Sequence, residues 1–234
     1  MGLLSRAMRL LGEQDCWLCG SATPDSLCRQ CVADLPASGA ANCPLCALPT
    51  PAGATCGTCL SAAPAYDASL AALVYAWPAD RMVAALKYHA ALGLAAPLAG
   101  FLGDVVERHG LASRPDLMIV PPLSRERLAE RGFNQSLELA RHLGQRFGVP
   151  VAATALARVR DTTPQARLKP DERARNVKGA FAATRRFDGL AVAVVDDVMT
   201  TGATLAEIAA VVKAAGAVRV VNWVVARALP HPME

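Results

Sequence analysis

Runs of apolar residues alternate along the chain with segments of helical periodicity. The most continuous run, residues 190–195, contains no charge and stops at two adjacent acids. Such a run is typical of a parallel strand that is buried on both faces. Residues 117–120, which stop at two prolines, fit the same description, and residues 218–226 are predicted to form a further strand. Residues 66–75 alternate more loosely and are also predicted to form a strand.

Between these runs, apolar positions recur at helical spacing. Helices are predicted over residues 80–88, 97–109, 134–147 and 204–215. Asn134 is a suitable N-cap for the third of them and Gly148 a suitable stop, whereas the stretch from Ser124 to that cap is predicted to be a loop. Strands that alternate with helices predict an α/β fold with a mainly parallel sheet and right-handed crossovers.

Length and composition limit the class of protein. A chain of 234 residues has room for one full α/β domain and one small module. Hydrophobic residues make up 53% and aromatic residues 5%, as expected for a globular core of Ala, Leu and Val. The first twelve residues predict a short amphipathic helix rather than a signal peptide. No apolar stretch is long enough to cross a bilayer, so we expect a cytoplasmic protein without a membrane span.

The net charge of +4 is distributed unevenly. Residues 158–186 contain nine Lys or Arg and three Asp or Glu, so this segment carries +6 and the rest of the chain −2. A local excess of this kind favours an anionic partner, either pyrophosphate or nucleic acid, although a solvated loop also accounts for it.

The eight cysteines form four C-x-x-C pairs near the start of the chain. They are Cys16/Cys19, Cys28/Cys31, Cys43/Cys46 and Cys56/Cys59. Two such pairs complete a tetrahedral Zn²⁺ site, so four pairs predict two structural zinc ions. Short gaps favour consecutive ribbons, with an interleaved arrangement as the alternative. Disulfides would suit an exported protein, and a redox pair would need a βαβ context, so both are less favoured.

The candidate chemistry follows the most continuous apolar run. Asp196 and Asp197 precede a segment of hydroxyls and one glycine at the start of a predicted helix, namely Thr200, Thr201, Gly202, Ala203 and Thr204. N–H groups and hydroxyls at a helix start form an anion cradle, and open α/β sheets bind ligands at the carboxyl ends of their strands. The acids suit sugar hydroxyls or hydrated Mg²⁺. A phosphorylated sugar is therefore the predicted ligand, and a capped helix after solvated acids is the alternative.

Residues 192–204, V-A-V-V-D-D-V-M-T-T-G-A-T, resemble the phosphoribosyl pyrophosphate (PRPP) signature of type I phosphoribosyltransferases. The cysteine pairs, V-P-P-L followed by R-G-F-N-Q, R-V-R-D-T-T-P-Q-A-R-L and R-N-V-K-G-A-F extend the likeness over nearly the whole chain. Together they resemble the ComF family, which is associated with natural competence, the uptake of single-stranded DNA. The resemblance implies a double zinc ribbon over residues 1–64 and a type I phosphoribosyltransferase fold over residues 65–234.

The resemblance also implies roles for particular residues. Asp196 and Asp197, the predicted catalytic pair, would hold the ribose hydroxyls. The predicted PRPP-binding segment also includes Val198 and Met199, and the residues that follow them would hold the 5-phosphate, namely Thr200, Thr201, Gly202, Ala203 and Thr204. Residues 161–178 would form a lid, and the loop after Val120 would approach the pyrophosphate.

Three further residues are predicted to contact the pyrophosphate or the acceptor, namely Arg131, Asn134 and Gln135. Their alternative roles are a helix cap for Asn134 and a surface charge for Arg131. Lys87 is a possible phosphate ligand, although a lone lysine on a helix more often faces solvent.

Two classes of function remain open. One is Mg²⁺-dependent phosphoribosyl transfer, with Mg²⁺ and the basic segment neutralising the pyrophosphate. The other is a non-catalytic adaptor for DNA uptake that binds single-stranded DNA or a competence helicase, or a PRPP sensor. No aromatic-rich segment marks a nucleobase pocket, so the sequence does not identify an acceptor.

Overall fold

The computed structural model describes residues 14–109, 114–160 and 175–230. In chain order the strands are β1 (Gln14–Asp15), β2 (Ala22–Thr23), β3 (Ala68–Val74), β4 (Leu117–Ile119), β5 (Leu156–Arg158), β6 (Phe181–Ala183), β7 (Ala191–Met199) and β8 (Arg219–Arg227). The α-helices are α1 (Arg29–Ala33), α2 (Gly57–Ser61), α3 (Ala79–Tyr88), α4 (Ala95–Arg108), α5 (Arg125–Arg131), α6 (Gln135–Phe147) and α7 (Ala203–Ala214).

The centre of the molecule is a four-stranded parallel sheet in the order β3-β8-β7-β4. The two longest strands, β7 and β8, occupy its middle, as expected for strands that are buried on both faces. Successive side chains of β7 point to opposite faces: Val194 packs with α7 and Val195 with α3, α4 and α6. The sheet therefore has helices on both faces, which confirms the predicted α/β class.

The predicted strands and the four predicted helices are present to within a few residues. Asn134 caps α6 with its side chain, and Gly148 ends it at a φ of 60°. The prediction of a loop from Ser124 is wrong, because this stretch contains α5. The Ser124 Oγ accepts a hydrogen bond from the backbone N–H of Arg127, and Gly132 ends the helix in the left-handed region.

β7 continues beyond the point that the apolar pattern suggested. Asp196 and Asp197 lie inside the strand, and their neighbours pair with β8 as far as Met199. Both acids are therefore fixed by the sheet rather than by a loop. This rigid backbone sets the directions in which the two carboxylates project, since successive side chains of a strand alternate between faces.

The cysteine-rich segment runs along the edge of the sheet. The N–H of Ser38 donates to the carbonyl of Ala72 at 2.8 Å, and the N–H of Ser69 donates to the carbonyl of Pro44 at 3.0 Å. These bonds cover an edge strand that would otherwise be open to pairing with other chains. Residues on both sides of position 64 are thus in direct contact.

None of the helices in the described ranges is long and apolar enough to cross a membrane. The amphipathic helix predicted for the first twelve residues lies outside the described part of the chain.

Candidate functional site

Each half of the cysteine-rich segment brings four thiols together. The four sulfur atoms of each cluster lie within 4.8 Å of one another. The first cluster comprises Cys16, Cys19, Cys28 and Cys31, and the second comprises Cys43, Cys46, Cys56 and Cys59. The pairs combine consecutively, as the short gaps predicted, and the interleaved alternative is wrong.

The geometry of both clusters fits Zn²⁺. A tetrahedral site with Zn–S bonds of about 2.3 Å separates its sulfur atoms by about 3.8 Å. The sulfur atoms of Cys19 and Cys28 are 3.7 Å apart, and those of Cys46 and Cys56 are 3.6 Å apart. Burial acts to raise the pKa of Cys16, but backbone N–H groups, first that of Cys28, outweigh it and lower the pKa to about 6. Four thiolates would leave no open coordination position, so a zinc ion held here would be structural.

A cleft of about 700 Å³ opens where the carboxyl ends of β4 and β7 meet. Its lining includes Asp196, Asp197 and the start of α7, together with Pro121 and Gln135. This is the edge of a parallel sheet at which α/β proteins bind ligands. The hydroxyl segment, the two acids and the loop after β4, which lie far apart in sequence, therefore share one cavity.

The two acids have different surroundings. The Nζ of Lys87 lies 2.8 Å from Asp197 Oδ1, and the Asp197 side chain is only 5% exposed. The second oxygen of Asp197, Oδ2, is buried and has no hydrogen-bond partner among the described residues. Asp196 Oδ1 accepts from the Ser136 hydroxyl at 2.8 Å and from the Asp197 N–H at 2.9 Å. One acid is thus neutralised by an amine, and the other is held by neutral donors.

These surroundings change the proton affinity of the site. Burial, together with the charge of Asp197, raises the pKa of Asp196 to about 7, although Lys87 and Ser136 act in the opposite direction. For Lys87, burial acts to lower the pKa, but the charges of the two acids outweigh it and raise the pKa above its ordinary value. Titratable groups with shifted pKa values that share a cleft mark a candidate functional site.

The hydroxyl segment forms the turn between β7 and α7. Thr200, Gly202 and Thr204 line the cleft, together with Val198, Met199 and Ala203. Thr201 is exposed, is not part of that lining, and accepts a hydrogen bond from the N–H of Ala203 at 3.3 Å. Gly202 has a φ of 80°, which an L side chain rarely adopts. The turn therefore places residues of a helix start along the cleft, a position that suits an anionic ligand.

The three further predicted residues occupy different positions. Arg131 and Gln135 line the cleft, and the Arg131 Nη1 donates to the Gln135 Oε1 at 3.0 Å. Asn134 does not line it: its Oδ1 caps α6, and its Nδ2 donates to the carbonyl of Pro121 at 3.0 Å. Asn134 therefore fixes the loop after β4 rather than facing a ligand.

An aromatic wall of the cleft was not predicted from the sequence. Tyr75 and Tyr88 both line the cleft, and the Arg131 guanidinium lies 5.0 Å from the centre of the Tyr88 ring. Tyr88 is 63% exposed. No aromatic-rich segment exists because these rings come from the end of β3 and the end of α3. Burial of Lys87 was missed for the same reason, since a single helical lysine carries no signal of its tertiary surroundings.

The ends of the predicted lid meet beside the cleft. Arg158 and Phe181 line the cleft, and the Arg158 guanidinium lies 5.5 Å from the centre of the Phe181 ring. The Arg160 Nη2 donates to the carbonyls of Asn176 and Lys178 at 2.9 and 2.6 Å. Residues 161–174, most of the predicted lid, lie outside the described part of the chain.

A parallel sheet with paired acids and a hydroxyl turn at its carboxyl edge, joined to two four-cysteine clusters, defines a phosphoribosyltransferase fold with a double zinc-ribbon module. The chain is 34% identical over 221 residues to DNA utilization protein YhgH of Salmonella typhimurium, with 92% of this chain and 97% of that protein covered. The Escherichia coli K12 protein of that name is 32% identical over the same shares. The chain therefore belongs to the ComF family, in agreement with its sequence motifs.

Other comparisons are more limited. Competence protein F of Haemophilus influenzae is 35% identical over 117 residues, which are 49% of this chain and 51% of that protein. No family model matches the chain. Among solved structures, the glutamine PRPP amidotransferase from B. subtilis superposes with a TM-score of 0.41 at 18% identity, over 61% of this chain and 30% of that one. Because this TM-score is low, the superposition carries no weight. The sheet topology and the likeness to the YhgH proteins support the fold assignment.

Proposed function

We propose that the chain binds PRPP in the cleft at the carboxyl edge of the sheet. The 5-phosphate contacts the turn of residues 200–204, and the ribose hydroxyls donate to Asp196 and Asp197. The observation that carries this proposal is the meeting of two acids and a helix-start turn in one cleft. The buried Asp197 Oδ2 supports it, because an acceptor without a partner is costly unless a ligand supplies a donor.

The donor set also fits Mg²⁺, a hard cation that takes carboxylate and phosphate oxygens as ligands. Asp196 and Asp197 are the residues that would hold it, directly or through water, and bound Mg²⁺ would neutralise the pyrophosphate. Lys87 keeps a positive charge on the same side of the cleft. When PRPP binds, the Lys87 Nζ leaves its ion pair with Asp197 and contacts a phosphate oxygen. The Asp197 carboxylate is then available to the ribose hydroxyls.

Phosphoribosyl transfer is the reaction for which this arrangement is suited. The bond between ribose C1 and a pyrophosphate oxygen breaks, and an acceptor forms a new bond to C1. Positive charge develops on the ribose during this exchange, and in the proposed complex the carboxylates of β7 stabilise it. No nucleophilic side chain is required, and Arg131 is available to the leaving group or the acceptor.

The biological role that we propose is DNA handling. The full-length relatives are named for DNA utilization, and a half-length relative is named for competence. The Tyr75 and Tyr88 rings, with Arg131 beside the second, offer a surface on which a base can stack. This observation favours a second candidate function, a PRPP-binding adaptor that also contacts single-stranded DNA. It is less expected of a transferase whose acceptor is a small molecule without an aromatic ring.

The test of the binding site is a calorimetric titration of PRPP into the zinc-loaded protein and into D196N/D197N. The variant should lose at least about tenfold in affinity, because it removes two charged acceptors. D104N/E107Q, which removes two half-exposed carboxylates from α4, is the control and should bind as the wild type does. Equal affinity of D196N/D197N and the wild type would overturn the site assignment.

The two candidate functions are separated with single-stranded oligonucleotides. Binding that weakens steeply with salt and is lost in Y75A/Y88A supports the adaptor. Release of pyrophosphate in the presence of an acceptor supports the transferase.

A further inference from the structure

Arg227, the last residue of β8, is an almost completely buried arginine, 4% exposed. Its Nε donates to the carbonyl of Cys46 at 2.7 Å, and its Nη1 donates to the carbonyl of Met199 at 2.9 Å. The same Nη1 contacts the carbonyl of Thr200 and that of Ala228. One guanidinium thus joins the second cysteine cluster to the turn that follows β7.

These bonds fix the direction of the peptide groups in the turn. In a trans peptide the C=O and the N–H of the next residue point in opposite directions. Because Arg227 holds the carbonyls of Met199 and Thr200 on its own side, the N–H groups of Thr200 and Thr201 point to the other side. Thr200 lines the cleft, whereas Arg227 does not. The Met199 carbonyl also accepts from the Ala228 N–H at 3.0 Å, so the arginine reinforces the strand pairing there and holds the next peptide group through the Thr200 carbonyl.

A second contact supports the turn from the same direction. A Cβ atom at Gly202 would lie 2.8 Å from the Tyr66 hydroxyl, so the turn rests directly on this side chain. Tyr66 is 4% exposed and packs in the same hydrophobic cluster as Cys43, Cys46 and Cys59. The first cysteine cluster has no such role, since Cys16 packs in the hydrophobic cluster on the opposite face of the sheet.

The charge of Arg227 is compensated in a way that depends on the second cluster. A buried arginine needs nearby negative charge, and four thiolates around one Zn²⁺ carry a net negative charge. The two four-cysteine clusters therefore differ in position. The second lies under the turn between β7 and α7, and the first does not.

We propose that Arg227 is a positioning residue that holds residues 199–202 in their anion-binding shape and couples them to the second cysteine cluster. The inference rests on the proposed function for its ligand, but the orientation of the turn is a property of the free protein.

The first experiment needs no PRPP. Amide hydrogen exchange of Ala228, whose N–H donates to the Met199 carbonyl at 3.0 Å, is measured in the wild type, in R227K and in R141K, a control at a 57% exposed arginine. R227K keeps the charge, but an ammonium on a flexible stem cannot hold the separate carbonyls that the planar fork reaches. Exchange should be at least about tenfold faster in R227K and unchanged in R141K. Unchanged exchange in a folded R227K would overturn the inference.

The second experiment measures PRPP affinity by calorimetry in the same proteins. R227K should bind at least about tenfold more weakly while retaining both zinc ions, because the loss lies in the shape of the turn. A purely structural role would lower the melting temperature and leave the affinity of the folded protein unchanged. Absence of PRPP binding by the wild type would overturn the proposed function, and the exchange result would still decide the role of Arg227.

Cysteine variants test the coupling without changing Arg227. C56S removes a ligand of the second cluster and C19S a ligand of the first. Exchange of the Ala228 N–H, which donates to the Met199 carbonyl, should increase in C56S and stay at the wild-type rate in C19S. Equal exchange in C56S and C19S would contradict the coupling. This comparison does not require R227K to fold.

Discussion

At the scale of single residues, the ion pair between Lys87 and Asp197 is the most sensitive contact of the cleft. Its side chains are 20% and 5% exposed. Replacing Lys87 with Met keeps the bulk of the side chain but leaves a buried carboxylate unpaired, so K87M should lower the free energy of unfolding by about 3 kcal/mol. Urea unfolding measures this loss. In K87M/D197N part of the stability should return, and strictly additive losses would contradict a direct pair.

Asp196 predicts a pH dependence of stability. Its pKa in the folded protein is about 7, whereas an unfolded aspartate has a pKa of about 3.9. The folded state binds this proton more tightly, so its contribution to stability is complete below the unfolded pKa and is lost as the pH rises through the folded value. Urea unfolding should show a larger loss of stability between about pH 4 and about pH 8 in the wild type than in D196N.

The same proton affects binding in the opposite sense. Ribose hydroxyls donate to an ionised carboxylate, so PRPP affinity should increase from about pH 6 to about pH 8, as Asp196 loses its proton. Calorimetry at constant Mg²⁺ measures the increase. An affinity that falls over this range would show that the protonated acid is the binding form.

Single residues were the hardest scale to predict from the sequence. Asp196 and Asp197 could be identified because they end a long apolar run beside a hydroxyl segment. Lys87 and Arg227 could not, because an isolated basic residue in a sequence does not show that its surroundings are buried. Asn134 was predicted with two alternative roles, and its contacts are those of a helix cap.

At the scale of elements, the turn between β7 and α7 depends on Gly202. Its φ is 80°, and an added Cβ would lie 2.7 Å from the Met199 Cε and 2.8 Å from the Tyr66 hydroxyl. G202A should lower the free energy of unfolding by about 1 kcal/mol or more from the backbone alone, and should weaken PRPP binding as Tyr66 pushes the turn into the cleft.

Gly189 provides the matched control for this variant. It has a φ of 72° with no atom within 4 Å of an added Cβ. G189A should therefore lose stability because alanine is strained at a positive φ, but its added Cβ should contact no other residue. It should bind PRPP as the wild type does. Equal affinities in G202A and G189A would contradict a turn that rests on Tyr66.

The elements could be predicted where hydrophobic periodicity is strong. β7 and β8 were identified because long apolar runs dominate both strands, and α6 because its cap and stop enclose an apolar stripe. α5 was missed because its only large apolar residue, Leu128, is 47% exposed. This helix is defined by its caps, Ser124 and Gly132, and not by burial of one face. The β5–β6 pair was missed because its strands have three residues each and are far apart in sequence.

At the scale of the whole molecule, the two cysteine clusters lie on opposite faces of one sheet. Cys16 belongs to the hydrophobic cluster that contains residues of α3 and α4, and Cys43 and Cys46 belong to the cluster that contains residues of α7. Metal binding to both clusters should therefore stabilise the whole chain. We expect two zinc ions per chain by elemental analysis and a large fall in melting temperature after chelation. An unchanged melting temperature in metal-free protein would contradict this role.

The central claim is that the cleft binds PRPP together with Mg²⁺. The most direct measurement is calorimetric titration of PRPP into the zinc-loaded protein, with and without Mg²⁺. We predict micromolar binding that is strong with Mg²⁺ and weak without it. No heat of binding under either condition, with both zinc ions present and the protein folded, would contradict the claim.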